Sequence, residues 1–301
     1  MKKTGQLIKH KLGFFQVKNK PTQKELEDFY SKQYYQSERG SYRSKYSNEE
    51  LKYFNTKNEQ ILEIVSELIP KNKHLLDIGC GEGYMINFFR KKGWEVLGLD
   101  YSGFGCSKMN PDCLPVLKIG DIYESINELI GKKEKFDVIS LKNVLEHVLE
   151  PEILLRKIKK LAHNDTIFIV TVPNDFSFYQ NFLLKEKMID HPFWVAIPDH
   201  ISYFEKNSLK KICNHTGWEQ KEIVADFPID IFLSNPHSNY IKDKTTGPAA
   251  HQARVKLENL FHNTSIKATI NLYRAMAQLG FGRQITGYYK LKASGKNLKN
   301  S

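Results

Sequence analysis

The run Leu75-Leu76-Asp77-Ile78 breaks into three glycines at alternate positions, Gly79, Gly81 and Gly83, separated by Cys80 and Glu82. Glycine lets a backbone turn tightly and approach a ligand closely. A helical pattern starts at Tyr84, so the turn feeds a helix N-terminus, with unpaired N–H groups and partial positive charge. Asp77 places a carboxylate just before the turn. A second, Asp100, ends the next apolar run, Val96-Leu97-Gly98-Leu99, 17 residues beyond Gly83. A strand-end acid there can accept both hydroxyls of a ribose, which suits a ligand with an adenosine end. The spacing is GxGxG, where dinucleotide binding has GxGxxG.

Other residues could do proton or ligand chemistry. Glu146 and His147 follow an apolar strand, and His200 lies in Pro198-Asp199-His200-Ile201-Ser202-Tyr203-Phe204. An imidazole titrates near neutral pH and suits a general base. Arg254 and Arg283 flank a helical pair and could clamp a phosphate or carboxylate bidentately. Tyr35, Tyr42 and Arg43 offer ring faces and donors to a polar acceptor. Cys80, Cys106, Cys113 and Cys213 form no CxxC pair, which fits reduced thiols in a cytoplasm better than disulfides or a zinc site.

The elements that must position these groups alternate. Strands are expected at 74–79, 94–100, 114–121, 135–143 and 165–174, with helices at 84–93, 123–131 and 151–162. That alternation predicts a doubly wound, mostly parallel α/β sheet. Before it, residues 1–21 read as a loose basic arm. A helix capped by Thr22 and Glu25 and a long amphipathic helix from Ser47 follow. After it come a helix capped at Asn207 or Ser208, a strand from Trp218, a loop over 228–252 and a helical stretch over 253–279. A last strand lies near 286–293. Residues 228–285 exceed what a hairpin connection needs and read as a cap or an oligomer surface.

These motifs, in order, resemble the class I S-adenosylmethionine-dependent methyltransferases. Asp77-Ile78-Gly79-Cys80-Gly81-Glu82-Gly83 looks like their first motif, Asp100 like their ribose acid, and Gly120-Asp121-Ile122 like the segment beside the adenine. Phe136 to Ser140 looks like their fourth strand, Val144 to Val148 like the EHV element after it, and Thr171 to Asn174 like the end of the fifth. The resemblance implies a seven-stranded Rossmann-like sheet, its last strand antiparallel, with an N-terminal helical lid and a helical insertion before that strand. It implies S-adenosylmethionine held by Asp77, Gly79, Cys80, Gly81, Gly83, Asp100, Tyr101, Asp121, Ile122 and Asn143. It also implies catalytic roles for His200, His147 and Glu146, and acceptor contacts from Tyr35, Tyr42, Arg43, Arg254 and Arg283. Related ubiquinone-pathway enzymes carry an ExxEH pattern linked to a divalent metal. Here Asn143 replaces the first carboxylate, so no metal is expected. The insertion is similar to caps of methyltransferases that act in surface-polysaccharide biosynthesis. The expected acceptor is therefore a nucleotide-activated or lipid-linked saccharide. A quinone precursor, a secondary metabolite or a non-catalytic binding module are the alternatives.

The divisions expected are 1–70 for arm and lid, 71–227 for the cofactor-binding core, 228–285 for the insertion and 286–301 for the last strand and tail. The chain of 301 residues has 41% hydrophobic and 26% charged residues, as folded soluble proteins do. No apolar run reaches a membrane span, and lysines interrupt the N-terminus as a signal sequence. The net charge is +11, but residues 61–285 hold 28 Lys and Arg against 27 Asp and Glu. The excess sits at the ends, which argues against a nucleic-acid groove. The region after strand 135–143 also lacks the [DNS]PP[YF] tetrad of amino-methylating nucleic-acid enzymes. Attraction of an anionic acceptor, loose contact with an anionic membrane and a homodimer through the insertion remain expectations.

Overall fold

The computed structural model describes residues 4–22, 24–26, 45–68 and 73–293. Its first elements overturn the loose arm. Strands β1 (Leu7–Lys9) and β2 (Phe15–Val17) form an antiparallel hairpin. Phe14 enters the core at 2% exposure and packs on Phe204. A few apolar side chains thus anchor a segment whose lysines face water. Thr22 and Glu25 form the expected capping box, the Thr22 N–H donating to the Glu25 carboxylate at 2.7 Å. The remainder of that helix lies outside the described residues, and so do Tyr35, Tyr42 and Arg43.

Helix α1 (Asn48–Leu68) is the expected amphipathic helix, burying Ile61, Ile64 and Val65. The alternation then runs β3 (His74–Ile78), α2 (Tyr84–Lys91), β4 (Glu95–Asp100), α3 (Phe104–Met109), β5 (Leu117–Ile119), α4 (Ile122–Gly131), β6 (Phe136–Lys142), α5 (Pro151–Lys159) and β7 (Ala162–Pro173). Strand β5 is shorter than expected because Leu114 to Val116 belong to a 3-10 turn that holds Pro115; proline cannot donate to a ladder. Next come α6 (Phe178–Lys185), β8 (Ser202–Tyr203), α7 (Lys206–His215) and β9 (Trp218–Ala225). The cap of α7 is Glu205, not Asn207 or Ser208: its carboxylate accepts from the N–H groups of both, at 2.9 and 2.8 Å. The helical pair expected over 253–279 is α8 (Gly247–Thr264) and α9 (Ile266–Leu279), the first starting inside the expected loop 228–252. Ser265 divides them and caps the second by accepting from Ala268 N–H at 3.2 Å. Strand β10 (Gln284–Leu291) closes the order.

The main sheet has seven strands in the order β5-β4-β3-β6-β7-β10-β9. Strands β3 to β7 pair in parallel, while β10 runs antiparallel to both β7 and β9. That is the expected mostly parallel, Rossmann-like sheet with one reversed strand. One core layer combines β-strand residues with Ile126, Leu154, Leu155, Leu209 and Ile212 from α4, α5 and α7. The other combines them with Ile64, Met85, Phe89, Ile270 and Tyr273 from α1, α2 and α9. Strands covered on both faces are buried along their length, as β6 is up to Leu141, polar Asp137 and Ser140 included. A small sheet, β1-β2-β8, stands apart. Among the described residues no helix is long and apolar enough to cross a membrane.

Candidate active site

The turn between β3 and α2 holds Gly79, Gly81 and Gly83 at φ 73°, 55° and 78°, the left-handed region that side chains avoid. A Cβ on Gly79 would sit 2.3 Å from Val144 Cγ2. Gly79 and Cys80 N–H both donate to the Leu99 carbonyl, at 2.8 and 3.2 Å. The Asp100 carboxylate accepts from Gly81 N–H at 2.7 Å and from Ser102 N–H at 3.0 Å. The strand-end acid therefore shapes the turn it faces. Asp77 is 3% exposed. Burial lifts its carboxyl to about 6 against the pull of Lys142. Asp121 caps α4 by accepting from Glu124 N–H at 2.8 Å, and it takes the Tyr101 hydroxyl as well. Ile122 is buried in the core behind them. From the N-terminal side, the Tyr46 hydroxyl donates to the Glu82 carboxylate at 3.0 Å.

A cavity of about 400 Å³ opens beside this turn. Its walls come from α1, the glycine turn, the ends of β6, β7, β9 and β10, and helices α8 and α9. Asp77, Gly79, Cys80, Gly83 and Asn143 line the side toward the turn. Lys57, Lys142, Asp226, Arg254 and Tyr273 line the rest. Asn143, at φ 53°, accepts from Gln284 Nε2 at 3.2 Å. Arg254 donates to the Tyr53 hydroxyl at 2.8 Å, and Lys57 meets Glu258 at 2.5 Å. Asp226 accepts from Arg283 and Gln284 N–H at 2.7 and 2.8 Å. Its burial lifts the carboxyl to about 6.

The loops after β6 and before β8 bring together Glu146, His147 and His200, whose ligating atoms lie within 4.8 Å of one another. The imidazole planes of His147 and His200 cross edge to face, with centroids 4.9 Å apart. His147 Nδ1 donates to the Asp199 carbonyl at 2.8 Å and lies 3.3 Å from its carboxylate. Burial works against a charge on His147, yet Asp199 and Glu146 outweigh it and raise the imidazole to about 9. Burial and the charge on His147 push His200 down to about 4. Burial raises Glu146 to about 7 and Asp175 to about 7. At neutral pH one imidazole therefore carries a proton and the other does not. Metal ligands must shed their protons, and the proton on His147 competes with an ion at this trio.

The structure thus gathers the expected glycines, Asp77, Asp100 and Asn143 around one turn, and the three expected catalytic residues around one loop crossing. It does not make a clamp of the two arginines. Arg254 lines the cavity, whereas Arg283 lies 3.5 Å from Asp175 with its guanidinium over the Phe193 ring. Lys57, Lys142, Asp175 and Asp226 were not expected. The one signal for Lys142 was a charge at the end of a strand that is apolar apart from Asp137 and Ser140.

The family described as methyltransferase domain matches residues 49–222. A ubiquinone biosynthesis O-methyltransferase of Coxiella burnetii is 29% identical over 165 residues, 54% of this chain and 70% of the relative. That of Aliivibrio fischeri is 24% identical over 159 residues, 51% of this chain and 67% of the relative. The solved plantazolicin methyltransferase BpumL, in complex with a monoazolic desmethylPZN analog and SAH, is 17% identical. It matches 89% of this chain and 97% of its own at a TM-score of 0.51, a likeness of fold.

Proposed function

The chain belongs to the methyltransferase-domain family, and from that premise we propose that it moves the methyl of S-adenosylmethionine to a hydroxyl on a small polar acceptor, a saccharide foremost. Dependence on S-adenosylmethionine comes with the family; the acceptor and the residue roles are inferred. The observation that carries them is the uncharged imidazole of His200 amid buried polar atoms lacking a protein hydrogen bond. These are His200 Nδ1, Glu146 Oε2 and both carboxylate oxygens of Asp175. Buried polar atoms are paired as a rule, so such a nest suits a ligand with several hydroxyls, as a sugar ring has.

The glycine turn and Asp77 fit the amino-acid end of the donor, and Asp100 fits its ribose. The donor supplies an electrophilic methyl on a sulfonium. No covalent enzyme nucleophile is required, and in-line positioning supplies much of the rate. His200 takes the hydroxyl proton as the oxygen attacks. Glu146 and Asp199 then balance two charged imidazoles, so the proton does not leave an unpaired buried charge. The intact turn supports an enzyme over a binding module. The four cysteines, all free thiols, support the cytoplasm as its place.

A phenolic quinone precursor is the second reading, supported by the names of the curated relatives. Incubation with methyl-labelled S-adenosylmethionine and a panel of nucleotide-activated sugars and catechols separates the two, since label enters only the true acceptor class. His200→Ala should lower turnover on that acceptor by about 100-fold or more, with donor affinity unchanged. Surviving turnover would leave His200 a structural role only.

A further inference from the structure

Lys142 is the last residue of β6 and lines the cavity together with Asp77 and Lys57. Among the described residues its ammonium has no ion-pair or hydrogen-bond partner. Lys57 meets Glu258 at 2.5 Å, and Arg254 holds the Tyr53 hydroxyl at 2.8 Å with Glu258 at 3.6 Å. The other two cations of the cavity are thus matched by the protein, and Lys142 is not. Lys142 is half-buried at the cavity wall, and an ammonium so placed without a counter-charge is costly. Asp77, beyond ion-pair reach, is the neighbour that offsets it best, and Asp77 is the group that fits the ammonium of S-adenosylmethionine. Once that ammonium is bound, Lys142 loses even its distant carboxylate.

We propose that Lys142 is an anion-binding residue, holding a carboxylate or phosphate of a ligand seated in the cavity beside the glycine turn. This rests on the methyl-transfer reading and names the chemistry of its occupant. Burial lowers the ammonium of Lys142 from its ordinary value, and a bound anion restores it. Two sources carry such a group: the carboxylate of the donor itself and an acid group on the acceptor.

Calorimetry on the full chain, Lys142→Met and Lys142→Arg tells them apart. The probes are S-adenosylhomocysteine, 5′-methylthioadenosine, which lacks the carboxylate, and benzoate or inorganic phosphate added to protein saturated with S-adenosylhomocysteine. If the donor is the source, Lys142→Met loses at least tenfold in affinity for S-adenosylhomocysteine and none for methylthioadenosine. If the acceptor is the source, Lys142→Met keeps S-adenosylhomocysteine and loses benzoate or phosphate. In either case Lys142→Arg restores binding. Unchanged affinities, or equal losses of both nucleosides, would overturn the proposal. Failure of the unaltered chain to bind S-adenosylhomocysteine at all would instead remove the methyl-transfer reading.

Discussion

Gly79 has no room for a side chain: its φ is 73°, and a Cβ would meet Val144 Cγ2 at 2.3 Å. Gly79→Ala adds about 1–2 kcal/mol of left-handed strain to that collision. Relief requires the turn or the Val144 loop to move. Affinity for S-adenosylhomocysteine should fall at least tenfold by calorimetry, and an unchanged value would mean that the cofactor does not use this turn. The Asp100 carboxylate already fixes Gly81 N–H at 2.7 Å, and the proposed ribose contact would be its second job. Asp100→Ala should therefore weaken the cofactor by at least tenfold, about 1.4 kcal/mol. Asp100→Asn, which keeps one acceptor oxygen, should lose less; equal losses would reduce Asp100 to a prop for the turn. These residues were legible in the sequence because their geometry is local: glycine at fixed offsets, then an acid one strand later. Lys142 was not, because its charged neighbours, Asp77 of β3 and Lys57 of α1, lie far from it along the chain.

At the scale of elements, the sheet was readable for a similar reason. Each β-α step carries its own periodicity, and burial on both faces gives the apolar run Ile167 to Val170 of β7 and keeps β6 mostly apolar. The hairpin β1–β2 carries no such signal. Its strands have three residues each, too few to show an alternation, and β2 pairs with Ser202 and Tyr203, far along the chain. What holds it is Phe14, packed between His10 and Phe204. The pairing gives the hairpin a function, because β8 begins two residues beyond His200. Ile201 and Ser202 N–H also donate to the Glu146 carbonyl, at 2.8 and 3.0 Å. Phe14→Ala should cost about 3 kcal/mol or more in urea unfolding, as large-to-small changes in cores do. Turnover should fall by more than affinity for S-adenosylhomocysteine, since the glycine turn lies on the main sheet and the hairpin on the small one. Equal effects on both would show that the hairpin serves overall stability alone.

Across the whole molecule the sheet order gathers buried acids at the carboxyl ends of the strands. Asp77 and Asp226 are raised to about 6, and Glu146 and Asp175 to about 7, all by burial first. Their ordinary values are 3.8 for Asp and 4.5 for Glu, so the folded chain binds these protons more tightly than the unfolded one. The stability they contribute is complete below about pH 4 and is lost as pH rises through 6 and 7. His147, held near 9 by its carboxylate partners, works in the same direction over a higher range, from its ordinary 6.5 upward. His200 opposes them. Lowered to about 4, it costs stability as pH falls from 6.5. The surplus of +11 comes from Lys and Arg, which scarcely titrate over this range and so add little slope. Glu82 is raised with these acids, while His10 and Lys142 are lowered with His200, all by burial first. The raised groups outnumber the lowered and give the sign: ligand-free protein should melt at a higher temperature at about pH 6 than at about pH 8.5 in scanning fluorimetry. On the proposed reading, saturation with S-adenosylhomocysteine should flatten the trend, because its ammonium beside Asp77 would keep that carboxylate ionised. A melting temperature that climbs with pH would mean that these acids are solvated and that the strand ends do not enclose a site.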